Sequence, residues 1–89
     1  MPSADATIDN KLGLHARASA KLTELASRFQ SEVWLTRNGR RVNAKSIMGV
    51  MMLAASRGTR LTIRASGKDE REAIDSLERL IEEKFGEQE

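Results

Sequence analysis

Asn38-Gly39 stands between two runs that alternate apolar and polar residues, Glu32 to Arg37 and Arg40 to Lys45. Both turn residues tolerate positive φ, and the two-residue turn they form has the twist that antiparallel strands require. A lone hairpin is marginal in water, so the rest of the chain must supply strands and helices that cover its apolar face. Residues 4–9 alternate and read as a first strand. From Ala16 the period lengthens. Ala18, Leu22, Leu25, Ala26 and Phe29 share one helical face, which predicts a helix of about three to four turns. Ser46 opens an apolar stretch to Ala55 whose Met and Ala content favours a helix. Leu61, Ile63 and Ala65 alternate with Arg60, Thr62 and Arg64 as a fourth strand. Ala73, Ile74, Leu77, Leu80, Ile81 and Phe85 form the apolar face of a last helix, and Gly86 suits its end. Asp69 and Glu72 have the spacing of a carboxylate capping box at its start.

The resulting order is β-α-β-β-α-β-α. Each strand has one apolar face, so the expected fold is α+β, an open-faced sandwich: a four-stranded antiparallel sheet with three helices on one face. The 89 residues predict one domain, 1–89, with a small core. There is no cysteine and only one histidine, so neither a disulfide framework nor a zinc site is expected, and no metal ligand is assigned. No apolar run approaches the ~20 residues of a membrane span, and no signal-type stretch follows Met1. A cytoplasmic chain without direct membrane contact is therefore expected.

A net charge of +2 conceals a segregation of sign. Residues 1–10 carry −2, residues 11–64 carry +9 and residues 65–89 carry −5. The middle of the chain is built to meet something anionic. Nucleic acid is a poor candidate. Sheets that bind single strands stack bases on exposed aromatics; aromatic content here is 3%, and only Trp34 lies on a predicted strand. A phosphate hydrolase is also poorly supplied, because no second histidine or acid pair accompanies His15 to activate water.

His15 directly precedes the first helix. The first amides of a helix lack intrahelical partners, and with the macrodipole they make an anion site. That field favours the uncharged ring, with one nitrogen free as a nucleophile. A phosphoryl group on that nitrogen would meet the amides of Ala16 and Arg17, and the Arg17 guanidinium offers a planar donor fork. Position alone fits a plain capping or surface histidine equally well. Ser46 is likewise a preferred helix N-cap.

Two segments go further. Lys11-Leu12-Gly13-Leu14-His15-Ala16-Arg17 resembles the active-site signature of the HPr family, the histidine-containing phosphocarriers of the bacterial phosphoenolpyruvate-dependent phosphotransferase system. Ser46-Ile47-Met48-Gly49-Val50-Met51 resembles that family's second signature, at the family's separation. The resemblance implies that His15 accepts a phosphoryl group on Nδ1 from phosphorylated enzyme I and gives it to a histidine of a IIA protein or domain, with Arg17 steadying the phosphate. It implies a regulatory phosphorylation of Ser46 by an HPr kinase/phosphorylase. It also implies a docking patch of Ile47, Met48 and Met51. Lys21 and Lys45 are expected to steer acidic partners toward that patch. The resemblance implies no cofactor, the phosphoryl group coming ultimately from phosphoenolpyruvate, and a monomer is expected. Helical spacing would allow Ile47, Val50, Met51 and Ala54 to face inward as ordinary core; because a small domain cannot bury the whole run, the expected split is Val50 and Leu53 inside, Ile47 and Met48 outside and Met51 at the boundary. The family usually has proline after the active-site arginine; this chain has Ala18, a good helix former that adopts the same backbone with a looser turn.

Overall fold

The hairpin forms where Asn38-Gly39 predicts it. In the computed structural model, which describes residues 2–87, Asn38 and Gly39 take φ of 49° and 80° and join β2 (Glu32–Arg37) to β3 (Arg40–Asn43). Met1, Gln88 and Glu89 of the expected domain 1–89 lie outside the described residues. β2 pairs on its other side with β4 (Arg60–Ser66), and β4 pairs with β1 (Ser3–Thr7). All pairs are antiparallel and the sheet order is β1-β4-β2-β3. β1 ends two residues earlier than the alternation predicts. Ile8 has left the ladder but keeps two backbone bonds, its N–H to Thr59 O at 2.8 Å and its C=O from Gly58 N at 2.7 Å.

Alternation sets the two faces. Ala6, Val33, Leu35, Leu61, Ile63 and Ala65 point inward and are buried, whereas Glu32, Arg64 and Ser66 point to solvent. On the inner side, α3 (Glu70–Glu82) lies across β1, β4 and β2, and α1 (Ala16–Ala26) packs beside α3 and the short α2 (Ile47–Met52). The α1 stripe is buried at Ala18, Leu22 and Ala26. Phe29 lies beyond the helix and is only partly buried. On the outer face, half-buried Trp34 lies under the Arg41 guanidinium, 5.3 Å from its ring centroid. That cation–π contact occupies the one aromatic ring of the strands.

Two features of α3 differ from expectation. The Asp69 carboxylate does not cap its own helix. It accepts hydrogen bonds from the amides of Gln30 and Ser31, both at 2.9 Å, and from the Ser31 hydroxyl. Three donors from the loop before β2 outcompete one orphan amide, and the Asp69 backbone (φ −109°, ψ 29°) is not extended as a cap requires. The second difference is Phe85. The helix stops at Glu82, and Phe85 sits fully buried in a separate turn, where Lys84, Phe85 and Gly86 take φ of 57°, 57° and 78°.

The Ser31 hydroxyl first, then the Gln30 and Ser31 amides, hold the Asp69 carboxyl at about 2, below its ordinary 3.8. A folded-state value below the unfolded one stabilises the fold above the unfolded value, and the benefit disappears as pH falls through about 2. Asp69→Asn is expected to be less stable than the parent near neutrality, with the gap closing under acid. Denaturant titrations across that range measure it; a gap that does not change with pH would contradict the assignment.

Candidate functional site

The loop before α1 is fixed from below. Gly13 has φ of +67°, and a Cβ there would lie 2.5 Å from Ala55 O and 2.8 Å from Ser56 Cα. Only glycine allows that approach. Beside it, the buried Leu14 donates its N–H to Ala55 O at 2.8 Å. Asn10 is fully buried and its Nδ2 donates to Gly13 O at 2.8 Å. The Ser19 hydroxyl, also buried, donates to Leu14 O at 3.1 Å. His15 is thereby held at the N-cap of α1 in extended conformation, and its carbonyl accepts from Ser19 N at 2.8 Å. α1 starts at Ala16 without a proline, and Ala18 is completely buried in its first turn.

The half-buried imidazole borders a shallow concavity with Lys11, Leu12, Arg17, Lys21, Gly86 and Glu87. Its Nε2 lies 2.6 Å from Glu87 Oε2. No described residue hydrogen-bonds Nδ1. The other Glu87 oxygen accepts from Asn10 Nδ2 at 3.1 Å. The His15 hydrogen bond first, then that of Asn10, hold the Glu87 carboxyl below its ordinary value against a modest opposing effect of burial. Nearby, Lys21 Nζ donates to Phe85 O at 2.7 Å and so clasps the left-handed turn. Arg17 is exposed on the first turn of α1, where its guanidinium pairs with no described carboxylate.

Ser46 caps α2, with φ −106° and ψ 114°, and its Oγ accepts from Gly49 N at 3.2 Å. Val50 and Leu53 are buried, Met48 is 68% exposed, and Ile47 and Met51 are 39% and 40% exposed. Val50 and Leu53 lie inside and Met48 outside as expected, while Met51, expected at the boundary, is as exposed as Ile47. Met52 and Leu12 add further exposed apolar surface. At the other end of α2, Arg37 Nη1 donates to Leu53 O at 2.6 Å and Ala54 O at 3.0 Å, and Arg40 Nη1 donates to Met52 O at 3.1 Å. Lys45 Nζ reaches back to Phe29 O at 2.7 Å. Lys21 and Lys45 thus tie loops together as well as contributing positive charge.

Sequence reasoning singled out His15, Arg17, Lys21, Lys45, Ser46, Ile47, Met48 and Met51. Of these, the structure gathers His15, Arg17 and Lys21 in one concavity and Ser46, Ile47, Met48 and Met51 on and before α2. Sequence reasoning missed Glu87, Asn10, Leu12 and, of the hairpin's arginines, Arg37 and Arg40. An Asn just ahead of a Gly-containing loop is a turn signal and could have flagged Asn10. Nothing local marks Glu87, whose contact with His15 spans 72 positions.

Fold and site define a small open-faced α+β sandwich that presents one accessible imidazole at a helix N-terminus, ringed by cations. Comparison with known proteins narrows this class. A family model described as the PTS HPr component phosphorylation site matches residues 2–83. A phosphocarrier protein HPr of Cupriavidus necator is 64% identical over 83 residues, covering 93% of each chain. Among solved structures, HPr-C-His from Thermoanaerobacter tengcongensis superposes with a TM-score of 0.97 at 47% identity over 100% of both chains. The HPr dimer from the same organism gives a TM-score of 0.79 at 48% identity, over 98% of this chain and 100% of that one. The chain belongs to the HPr family of phosphotransferase-system phosphocarriers. No helix among its described residues is long and apolar enough to cross a membrane.

Proposed function

We propose that His15 Nδ1 accepts a phosphoryl group from phosphorylated enzyme I, itself charged by phosphoenolpyruvate, and passes it to a histidine of a IIA protein or domain. The observation that supports this best is an accessible imidazole at the N-cap of an 11-residue helix, with an Nδ1 that no described residue hydrogen-bonds. In each step the lone pair of the accepting nitrogen attacks phosphorus, the old P–N bond breaks, and its electron pair returns to the donor nitrogen. On this chain the phosphoryl oxygens meet the amides of Ala16 and Arg17, and the Arg17 guanidinium matches their geometry. Ile47, Met48 and Met51 form the apolar contact for both partners. Met suits a surface that meets several proteins in turn.

Ser46 is the regulatory position in this reading, phosphorylated by an HPr kinase/phosphorylase. The relay is bacterial and cytoplasmic, and one copy of the chain carries every residue assigned to it, so the working form is a monomer. Whether it serves sugar transport or nitrogen-related regulation depends on the IIA partner, and transfer to candidate IIA proteins separates the two. The primary test is incubation with phosphoenolpyruvate and enzyme I followed by intact mass. One acid-labile phosphate per chain is expected on the parent and none on His15→Ala. Labelling that survives in His15→Ala, or none on the parent, overturns the reading.

A further inference from the structure

We propose that Arg37 is a positioning residue for His15: its guanidinium enforces a left-handed Ala54, and that turn aims the Ala55 carbonyl that holds the active-site loop. The kinetic consequence rests on the phosphocarrier reading of His15. Ala54 is the residue that calls for an explanation. It follows the end of α2 with φ of +51°, in a region that glycine enters freely and alanine does not. A non-glycine residue persists there only where its surroundings enforce it. Arg37, at the end of β2, supplies the enforcement. Its Nη1 donates to Leu53 O at 2.6 Å and to Ala54 O at 3.0 Å. Those carbonyls belong to the two peptide planes that flank the Ala54 Cα, and the angles between these planes and that Cα are its φ and ψ. One charged donor on both planes therefore fixes the turn, and charge-assisted bonds are the strong ones.

The next residue reaches the site. Ala55 is buried, and its carbonyl accepts from Leu14 N at 2.8 Å, one residue before His15. The same oxygen lies against Gly13, where a Cβ would not fit. Farther along, Gly58 N donates to Ile8 O at 2.7 Å. Residues 53–58 thus form a strap beneath the loop that carries His15, pinned at one end by Ile8 and at the other by Arg37. Without the guanidinium, Ala54 relaxes toward ordinary right-handed or extended backbone. The 54–55 peptide then rotates and the Ala55 carbonyl loses its aim at Leu14. His15 no longer holds its ring and the amides of Ala16 and Arg17 in one geometry. Displacement of a reacting group by about 1 Å costs up to about a hundred-fold in rate. Arg40 offers an internal comparison: it donates to Met52 O, inside α2, and touches neither plane of Ala54.

Single-turnover transfer from phosphorylated enzyme I, taken to saturation, tests the assignment. Arg37→Met keeps the aliphatic stem and removes the donors, and its saturated rate should fall about ten-fold. Arg40→Ala should act on the half-saturating concentration instead. In the Ala54→Gly background the same Arg37→Met substitution should cost little, because glycine holds a positive φ without a clamp. An arginine that merely stabilised the fold would gain no such rescue. Deuterium exchange at the Leu14 amide should quicken in Arg37→Met and slow again in Arg37→Met/Ala54→Gly, which reports the loop with no phosphoryl transfer at all. Where Arg37→Met fails to fold, Ala54→Val decides: it keeps Arg37 and makes the left-handed backbone costlier, so its saturated rate should also fall, and an undiminished rate overturns the proposal. A parent-like rate in Arg37→Met, a loss that Ala54→Gly does not repair, or an equal fall in Arg40→Ala overturns the role of Arg37. Absence of any labelling on the parent overturns the phosphocarrier reading instead, and the Leu14 exchange still tests Arg37.

Discussion

Ser46→Asp is expected to slow phosphorylation of His15 by enzyme I about 30- to 150-fold while leaving the melting temperature close to that of the parent. The two halves of this expectation have separate causes. Ser46 caps α2 through a bond from Gly49 N. Aspartate is an equally good N-cap, and its charge suits the positive end of a helix. Stability is therefore conserved. On the proposed reading docking is not, because the new charge would sit immediately before Ile47 and Met48, within a stretch of net charge +9 proposed to meet acidic partners. Juxtaposed like charges at an interface cost several kcal/mol, and about 2–3 kcal/mol corresponds to the rate factor given. Single-turnover labelling at limiting enzyme I measures it, and added salt should shrink the difference. Equal rates for parent and variant would show that Ser46 lies outside the docking surface.

Gly13→Ala is expected to remove about 3 kcal/mol of stability, the sum of a left-handed non-glycine residue and a forced close contact. For a domain of this size that lowers the melting temperature by roughly 10–20 °C. The added Cβ meets Ala55 O and Ser56 Cα, which are backbone atoms and cannot swing aside as a side-chain tip would. Relief requires separating the two loops, and the bond from Leu14 N to Ala55 O is lost with them. Because that bond fixes the residue just before His15, phosphoryl transfer should fall along with stability. Thermal melts decide it: a shift of only a degree or two would mean the loops part at little cost.

Much of this was legible in the chain. The hairpin was readable because Asn38 and Gly39 are the two residue types that adopt positive φ most readily, and that preference is local. The burial of Val50 and Leu53 and the exposure of Met48 were readable because a domain of this size cannot bury the whole apolar run from Ile47 to Ala55. Asp69 and Glu72 misled for the opposite reason. Their spacing fits a capping box, but a carboxylate takes the best donors in reach, and those belonged to Gln30 and Ser31, nearly forty positions away. Phe85 kept the helical spacing and was buried as expected, yet the helix ends before it, since three left-handed residues direct its ring inward. The same turn hid the partner of His15. A contact between Glu87 and His15 exists only after α3 has crossed the sheet and brought the end of the chain back to α1.

The Arg40 guanidinium on the last carbonyl of α2, and the Arg37 guanidinium on the two carbonyls that follow it, join the hairpin and α2 into one structural module. A six-residue helix has too few internal bonds to persist by itself, and here its last carbonyl is met from β3 and the two carbonyls after it from β2. Substitution of Arg37 or Arg40 is therefore expected to shift the exposed face of α2 without touching Ile47, Met48 or Met51. An engineer who grafts α2 onto a relative to redirect its partners must carry Arg37, Asn38, Gly39 and Arg40 along with it.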